Sequence, residues 1–259
     1  MKLPLFKAQL YLGFFLLFFS SSIIKAADTP LIAAASNIKF ALQDIAQSFQ
    51  KDTGKSLRIS YSSSGNLTRQ IQQGGPFELF LSANKQYVEQ LYQQKKTVDQ
   101  GVVFALGRLA LLASSHSNLV LDEQLIGLKK SLQDNQLQRI AIANPEHAPF
   151  GFAAREVLQQ HGFWQPLQGH LVLGENAAQA TQFASSGAAQ AGLVSYSLAL
   201  APSLKNHVRY VALPSTLHSP LQQTAVLLSN AGVTAKLFYQ YLQQEKAQSI
   251  LSRHGFNRP

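Results

Sequence analysis

Two pairs of small polar residues, Ser36-Asn37 and Ser64-Gly65, each follow an apolar run and open an amphipathic one. At a helix start such residues present hydroxyls and free backbone N–H groups, which can hold an anion without any charged side chain. Phe150-Gly151 and Asn176-Ala177 occupy the same place in the pattern further along. Four helix N-termini, each carrying roughly half a positive charge, could balance a doubly negative ion. Fixed neutral donors also set a cavity radius, so the site would select by size. The competing reading is local. Ser and Asn at a helix start commonly cap their own helix, and Gly65 and Gly151 commonly serve turns. Only the coincidence of the four junctions favours the anion.

Other chemistries find less support. Ser64, in the run Ser62-Ser63-Ser64-Gly65, could be a nucleophile with His147 as its base. The chain has no G-x-S-x-G elbow, and nothing in its order brings His147, Asp44 and Ser64 together. With no cysteine, thiolate catalysis, thiolate zinc sites and iron–sulfur clusters are excluded. The histidines lack metal-site spacing, carboxylates are few, and neither a Walker A loop nor a dinucleotide fingerprint occurs. The expectation is a binding protein with no cofactor and no resident metal. Lys39, Arg69 and Arg155 fall on helices flanking the candidate cleft, where they either steer anions or lie on a solvated face. Tyr61, Tyr87 and Tyr196 read as core or rim aromatics.

The elements that must position these residues alternate between two periodicities. Leu31–Ala35 reads as a buried strand, and Asn37–Asp52 carries Phe40, Ile45, Ala46 and Phe49 at helical spacing. Leu57–Tyr61, helix Asn66–Gln73, strand Phe77–Leu81 and helix Lys85–Lys95 continue the pattern. Phe104–Ser114 is a long apolar strand broken by Gly107, of a length to cross between two lobes. A second set then runs from Gln138–Ala143 through helix Phe152–Gln160, strand His170–Leu173, the helix from Ala177 and strand Ala191–Ser195. Val208–Leu213, Gln223–Leu228 and one long helix over Thr234–Leu251 close the chain, while residues 115–138 give few signals. Strands alternating with helices imply mostly parallel sheets covered on both faces. The organisation expected is α/β and two-lobed, with residues 27–106 plus 218–259 in one lobe, 107–217 in the other, and ligand between them.

The first 26 residues read as a secretory signal peptide: Lys2 and Lys7, then an apolar stretch from Leu10 to Ile24, then a small residue at Ala26. A retained membrane anchor is the alternative, although the apolar run is short for a span. The chain's formal charge is +9. Three of its 22 basic residues lie in that segment, so 19 remain against 13 acidic, a net of +6. They form no cluster, which suits attraction of small anions and argues against nucleic acid.

Taken in order, AAASN (33–37), SYSSSGNLTRQIQQG (60–74), ELFLSAN (78–84), ANPEHAPFGFAAREVL (143–158), GENAAQA (174–180), AGLVSYS (191–197) and HGF (254–256) resemble the molybdate-binding proteins of bacterial ABC importers. The resemblance covers nearly all of the chain after residue 26. It implies a type II periplasmic-binding-protein fold and capture of tetrahedral molybdate or tungstate by hydroxyls and backbone N–H groups. It further implies delivery to a membrane permease and its ATPase by a monomeric periplasmic protein. By position, the family's contacting serines match Ser36 and Ser64, and its backbone donors match Phe150 and Ala177. Some members carry a tyrosine where this chain has Ser195, with Tyr196 one place on; Asn37 is a candidate to supply the missing contact. A receptor for sulfate, phosphate or an organic anion, a secreted hydrolase using Ser64, and a regulator's effector domain are the alternatives.

Overall fold

The computed structural model describes residues 29–259, so the signal-peptide segment lies outside the described residues. In chain order the strands and helices are β1 (Leu31–Ala35), α1 (Lys39–Thr53), β2 (Arg58–Ser62), α2 (Ser64–Gln72), β3 (Leu79–Ser82), α3 (Lys85–Gln93) and β4 (Val102–Gly107). Next come β5 (Leu109–Ser114), α4 (Ile126–Gln133), β6 (Ile140–Ala143), α5 (Pro149–Gln160), β7 (Leu171–Gly174), α6 (Ala177–Ser185), β8 (Ala191–Ser195) and α7 (Tyr196–Ala199). The chain ends with β9 (Val208–Ala212), β10 (Leu221–Leu227), α8 (Val233–Tyr241) and α9 (Glu245–Arg253).

These strands form two five-stranded sheets, ordered β2-β1-β3-β10-β4 and β7-β6-β8-β5-β9. In the first, β1, β2 and β3 are parallel and β10 runs against its neighbours. The second repeats the arrangement, with β6, β7 and β8 parallel and β5 antiparallel to β8 and β9. The expected long strand Phe104–Ser114 is two strands in different sheets, divided at Arg108. In each sheet the strand order turns back at the first of the three parallel strands, β1 or β6. That places a crevice beyond the C-terminal ends of both strands, where open α/β sheets bind ligands.

Alternation along β1 explains why both faces are covered. Ile32 and Ala34 join Ile45, Phe49 and Phe238, while Ala33 joins Leu67, Phe80, Leu91 and Val226. Period-two side chains thus reach opposite faces of one buried strand. In β5, Leu109 and Leu111 face one core, and Ala110 and Leu112 the other. Ala35 and Ala83, from the ends of β1 and β3, pack into the second lobe's core beside Phe150 and Ala177. These small residues let the two lobes meet closely.

Two further sequence expectations differ from the structure. The long C-terminal helix is interrupted after Tyr241, giving α8 and α9. Residues 115–138 contain α4, whose first N–H groups are held by Asp122: its carboxylate accepts from Ile126 N at 2.9 Å and Gly127 N at 2.8 Å.

Candidate functional site

A small cavity between the lobes is lined by the ends of β1 and β2 and by the first turns of α2, α5 and α6. Ser36, Asn37, Ser64, Phe150 and Ala177 all border it, together with Ala35, Ala83 and Pro149. Ser36, Asn37, Ser64 and Phe150 are at most 3 % exposed, and Ala177 is 6 %. Four junctions scattered along the sequence therefore converge on one point.

Tracing the N–H groups of each helix start shows what remains for a ligand. In α2, Ser63 is the cap and its Oγ accepts from Asn66 N, while Gly65 N donates to the carbonyl of His147 at 2.9 Å. That leaves Ser64 N. In α5, Pro149 has no N–H, and Gly151 N and Phe152 N both donate to Ala148 O, which leaves Phe150 N. In α6, the Asn176 side chain accepts from Ala178 N and Gln179 N, which leaves Ala177 N. In each of these first turns every N–H is engaged except one, and that donor belongs to a cavity-lining residue. Capping and anion binding, competing readings of the sequence, are thus divided between neighbouring residues.

The two serine hydroxyls are arranged alike. Ser36 Oγ accepts from Ala178 N across the cleft at 3.2 Å, and Ser64 Oγ accepts from Ala83 N at 3.0 Å. Among the described residues neither hydroxyl proton has an acceptor, so each remains available to an oxyanion. Asn37 Nδ2 donates to Gln223 Oε1 at 2.8 Å, and its Oδ1 is buried without a partner.

Ser195 and Tyr196 lie elsewhere. Ser195 Oγ pairs with Ser197 Oγ at 2.8 Å, and Ser197 donates to the Asn37 carbonyl at 2.7 Å. Ser195 thus reaches the site's backbone only through Ser197. The Tyr196 ring packs under the Arg108 guanidinium at 4.8 Å and edge-on to Tyr210. This places it where the chain passes from β4 to β5, and it does not line the cavity. Ser63, the residue between β2 and α2, caps α2 and bonds His147 Nδ1 at 2.9 Å.

His147 pairs with Ser63 rather than Ser64, and Asp44 bonds His254 at 2.8 Å. The serine, histidine and aspartate of a hydrolase are therefore not assembled. His147 Nε2 lies 3.5 Å from a Glu175 carboxylate oxygen. Burial holds the imidazole below its ordinary value, outweighing the upward pull of Glu175. Of the flanking cations, Arg155 is engaged by Glu146 at 3.1 Å and stacks on Phe152, Arg69 bonds Asn66, and Lys39 lies over Phe40.

The family model for bacterial extracellular solute-binding proteins matches residues 30–257. Molybdate-binding protein ModA of Azotobacter vinelandii is 33 % identical over 228 residues, covering 87 % of this chain and 88 % of its own. That of Rhodobacter capsulatus is 31 % identical, covering 89 % of both chains. The solved structure of a periplasmic molybdate-binding protein from A. vinelandii superposes with a TM-score of 0.81 at 30 % identity, over 89 % of this chain and 99 % of that one. The fold is accordingly the type II binding-protein fold, and the chain is a binding protein rather than an enzyme. It belongs to the bacterial extracellular solute-binding protein family, with molybdate-binding proteins among its relatives.

Proposed function

We propose that this protein captures molybdate or tungstate in the periplasm and delivers it, as a monomer, to an importer made of a membrane permease and an ATPase. The observation that carries the reading is the state of Ser36 and Ser64. Each hydroxyl is turned by a backbone N–H that it accepts, so its proton is free for an oxygen of the ligand. With Phe150 N and Ala177 N, the donors come from both lobes, as closure around a tetrahedral oxyanion requires. Among the described residues no Lys or Arg lines the cavity, so the negative charge is met by helix N-termini and polarised hydroxyls. The names of the relatives supply the ligand's identity.

Calorimetry of the purified protein with molybdate, tungstate and sulfate tests the reading. Tight binding of the two larger ions and weak binding of sulfate is expected, because the cavity radius is set by fixed donors. Sulfate bound as tightly as molybdate would remove the specificity claim.

A further inference from the structure

Asn37 and Gln223 are 186 residues apart in sequence, buried, and joined by a side-chain hydrogen bond beside the cavity. Gln223 has both ends of its amide engaged: Oε1 accepts from Asn37 Nδ2 at 2.8 Å, and Nε2 donates to the Leu221 carbonyl at 3.0 Å. A carbonyl can only accept, so the end of Gln223 facing Leu221 must be its NH2 group. Oε1 must then face Asn37, and Asn37 must answer with Nδ2. A backbone carbonyl on β10 in this way fixes the orientation of an amide that lines the ligand cavity.

Asn37 has no other reason to hold this orientation, since its Oδ1 is left buried and unpartnered. Turning the amide round would set Asn37 Oδ1 against Gln223 Oε1, two acceptors with no proton between them, so Gln223 alone fixes the orientation. Two further features seat Gln223. A register shift in the β10–β4 ladder falls between Gln223 and Thr224 and re-aims the side chain. A Cβ at Gly107 would come within 2.9 Å of Gln223 Nε2 and 3.0 Å of the Phe150 ring, so glycine makes room for the amide beside a second cavity residue.

We propose that Gln223 is a positioning residue for oxyanion capture, acting through Asn37. It holds the Asn37 amide so that the second Nδ2 hydrogen remains for the ligand. The proposal rests on the oxyanion reading above.

The test is a double-mutant cycle read by molybdate affinity, with Gln223→Leu, Asn37→Ala and the double variant. Gln223→Leu should weaken binding about tenfold alone, and less than about twofold when Asn37 is already Ala, because the two act as one unit. Additive losses would overturn the assignment. Gln223→Glu provides a second reading that needs no apolar substitution at a buried site. Its protonated acid can still accept from Asn37 and donate to Leu221; ionised, it loses that donor and sets a negative charge beside the anion. Its affinity relative to wild type at the same pH should fall as pH rises, and that fall should shrink when Asn37 is already Ala; an equal fall in both backgrounds would be charge repulsion alone and would overturn the proposal. Wild-type protein that takes up neither molybdate nor tungstate would sink the oxyanion reading and this proposal with it. Wild-type binding with additive variants sinks only the role of Gln223.

Discussion

Ser63 Oγ lies 2.9 Å from His147 Nδ1, joining one lobe to the other. Its neighbour Ser64 turns the opposite way, with Oγ held by Ala83 N inside its own lobe. Adjacent serines thus divide two tasks. Ser64 presents a proton to the cavity, and Ser63 latches the lobes beside it. Ser63 Oγ also accepts from Asn66 N, so one hydroxyl serves its own helix start and the His147 ring. A carboxylate only accepts, so the neutral ring that suits Glu175 carries its proton on Nε2 and accepts from Ser63 at Nδ1.

This latch makes closure depend on pH. The groups facing His147 are Glu175, Glu146 and Arg69, but burial dominates and holds its pKa below the ordinary 6.5. Closing the lobes buries the ring, so the closed form prefers it neutral. Above pH 6.5 the ring is neutral in both forms and closure carries no protonation cost. As pH falls through that value, the open form takes up a proton that the closed form resists, and closure becomes less favourable. Molybdate affinity should be full above pH 6.5 and decline below it. His147→Asn, which can still accept from Ser63, should flatten that decline. A variant that keeps the wild-type pH profile would remove His147 as its source.

Ser36→Ala and Ser64→Ala should separate binding from stability. Each removes one buried donor to the anion, expected to cost about 1–3 kcal/mol, or roughly ten- to a hundredfold in affinity. Ser64→Ala also strands the Ala83 N–H inside its own lobe, so it should lower the melting temperature of the ligand-free protein. The partner of Ser36 is Ala178 N, which the Asn176 side chain also accepts, so Ser36→Ala should leave that melting temperature nearly unchanged. Parallel calorimetry and thermal melts read the two effects. Equal loss of melting temperature in both variants would contradict the division.

Much of this was legible in the sequence because periodicity and junction chemistry are local. The continuous apolar run Leu31–Ala35 signalled a buried strand. The Ser-Asn, Ser-Gly and Asn-Ala pairs marked helix starts that the structure gathers around one cavity. What stayed hidden depends on distant partners. No local signal joins Asn37 to Gln223 or Ser63 to His147, since those bonds exist only once the lobes have formed. The interruption after Tyr241 carries no Gly or Pro to announce it. Asp122 is a capping residue in type, but Leu125 intervenes with a left-handed backbone at φ 59°, so the usual spacing from cap to helix is absent.

Phe49 should carry the attachment of the C-terminal helices to the first lobe. Its ring is fully buried and meets Phe238 and Tyr241 edge-on at 5.1 and 5.4 Å. Phe49→Ala leaves a cavity between α1 and α8 and should destabilise the fold by about 3–5 kcal/mol. Phe49 lies toward the C-terminal end of α1, whereas Ser36 and Asn37 precede its first turn, so protein that remains folded should bind molybdate with near wild-type affinity. Chemical denaturation gives the first quantity and calorimetry the second.

Gly65→Ala should act on closure with little effect on either lobe alone. Gly65 sits in the first turn of α2, where its N–H meets the His147 carbonyl. A Cβ at this position would lie 2.7 Å from that carbonyl oxygen and 2.8 Å from His147 Cβ. The carbonyl is backbone and cannot swing aside as a side-chain end would. Its loop is itself fixed, with His147 N and Ala148 N both donating to Asn144 O. Relief must therefore come from the lobes standing further apart. That separation lengthens the Ser63–His147 bond and draws Phe150 N and Ala177 N away from an anion held by Ser36 and Ser64. In the open form the added methyl faces solvent, and alanine suits a helical first turn better than glycine. The ligand-free melting temperature should thus be unchanged or slightly raised, while molybdate affinity falls by about tenfold or more. Small-angle scattering should show wild-type protein contracting on adding molybdate and the variant contracting less. Wild-type affinity in Gly65→Ala would show that the lobes close without this contact.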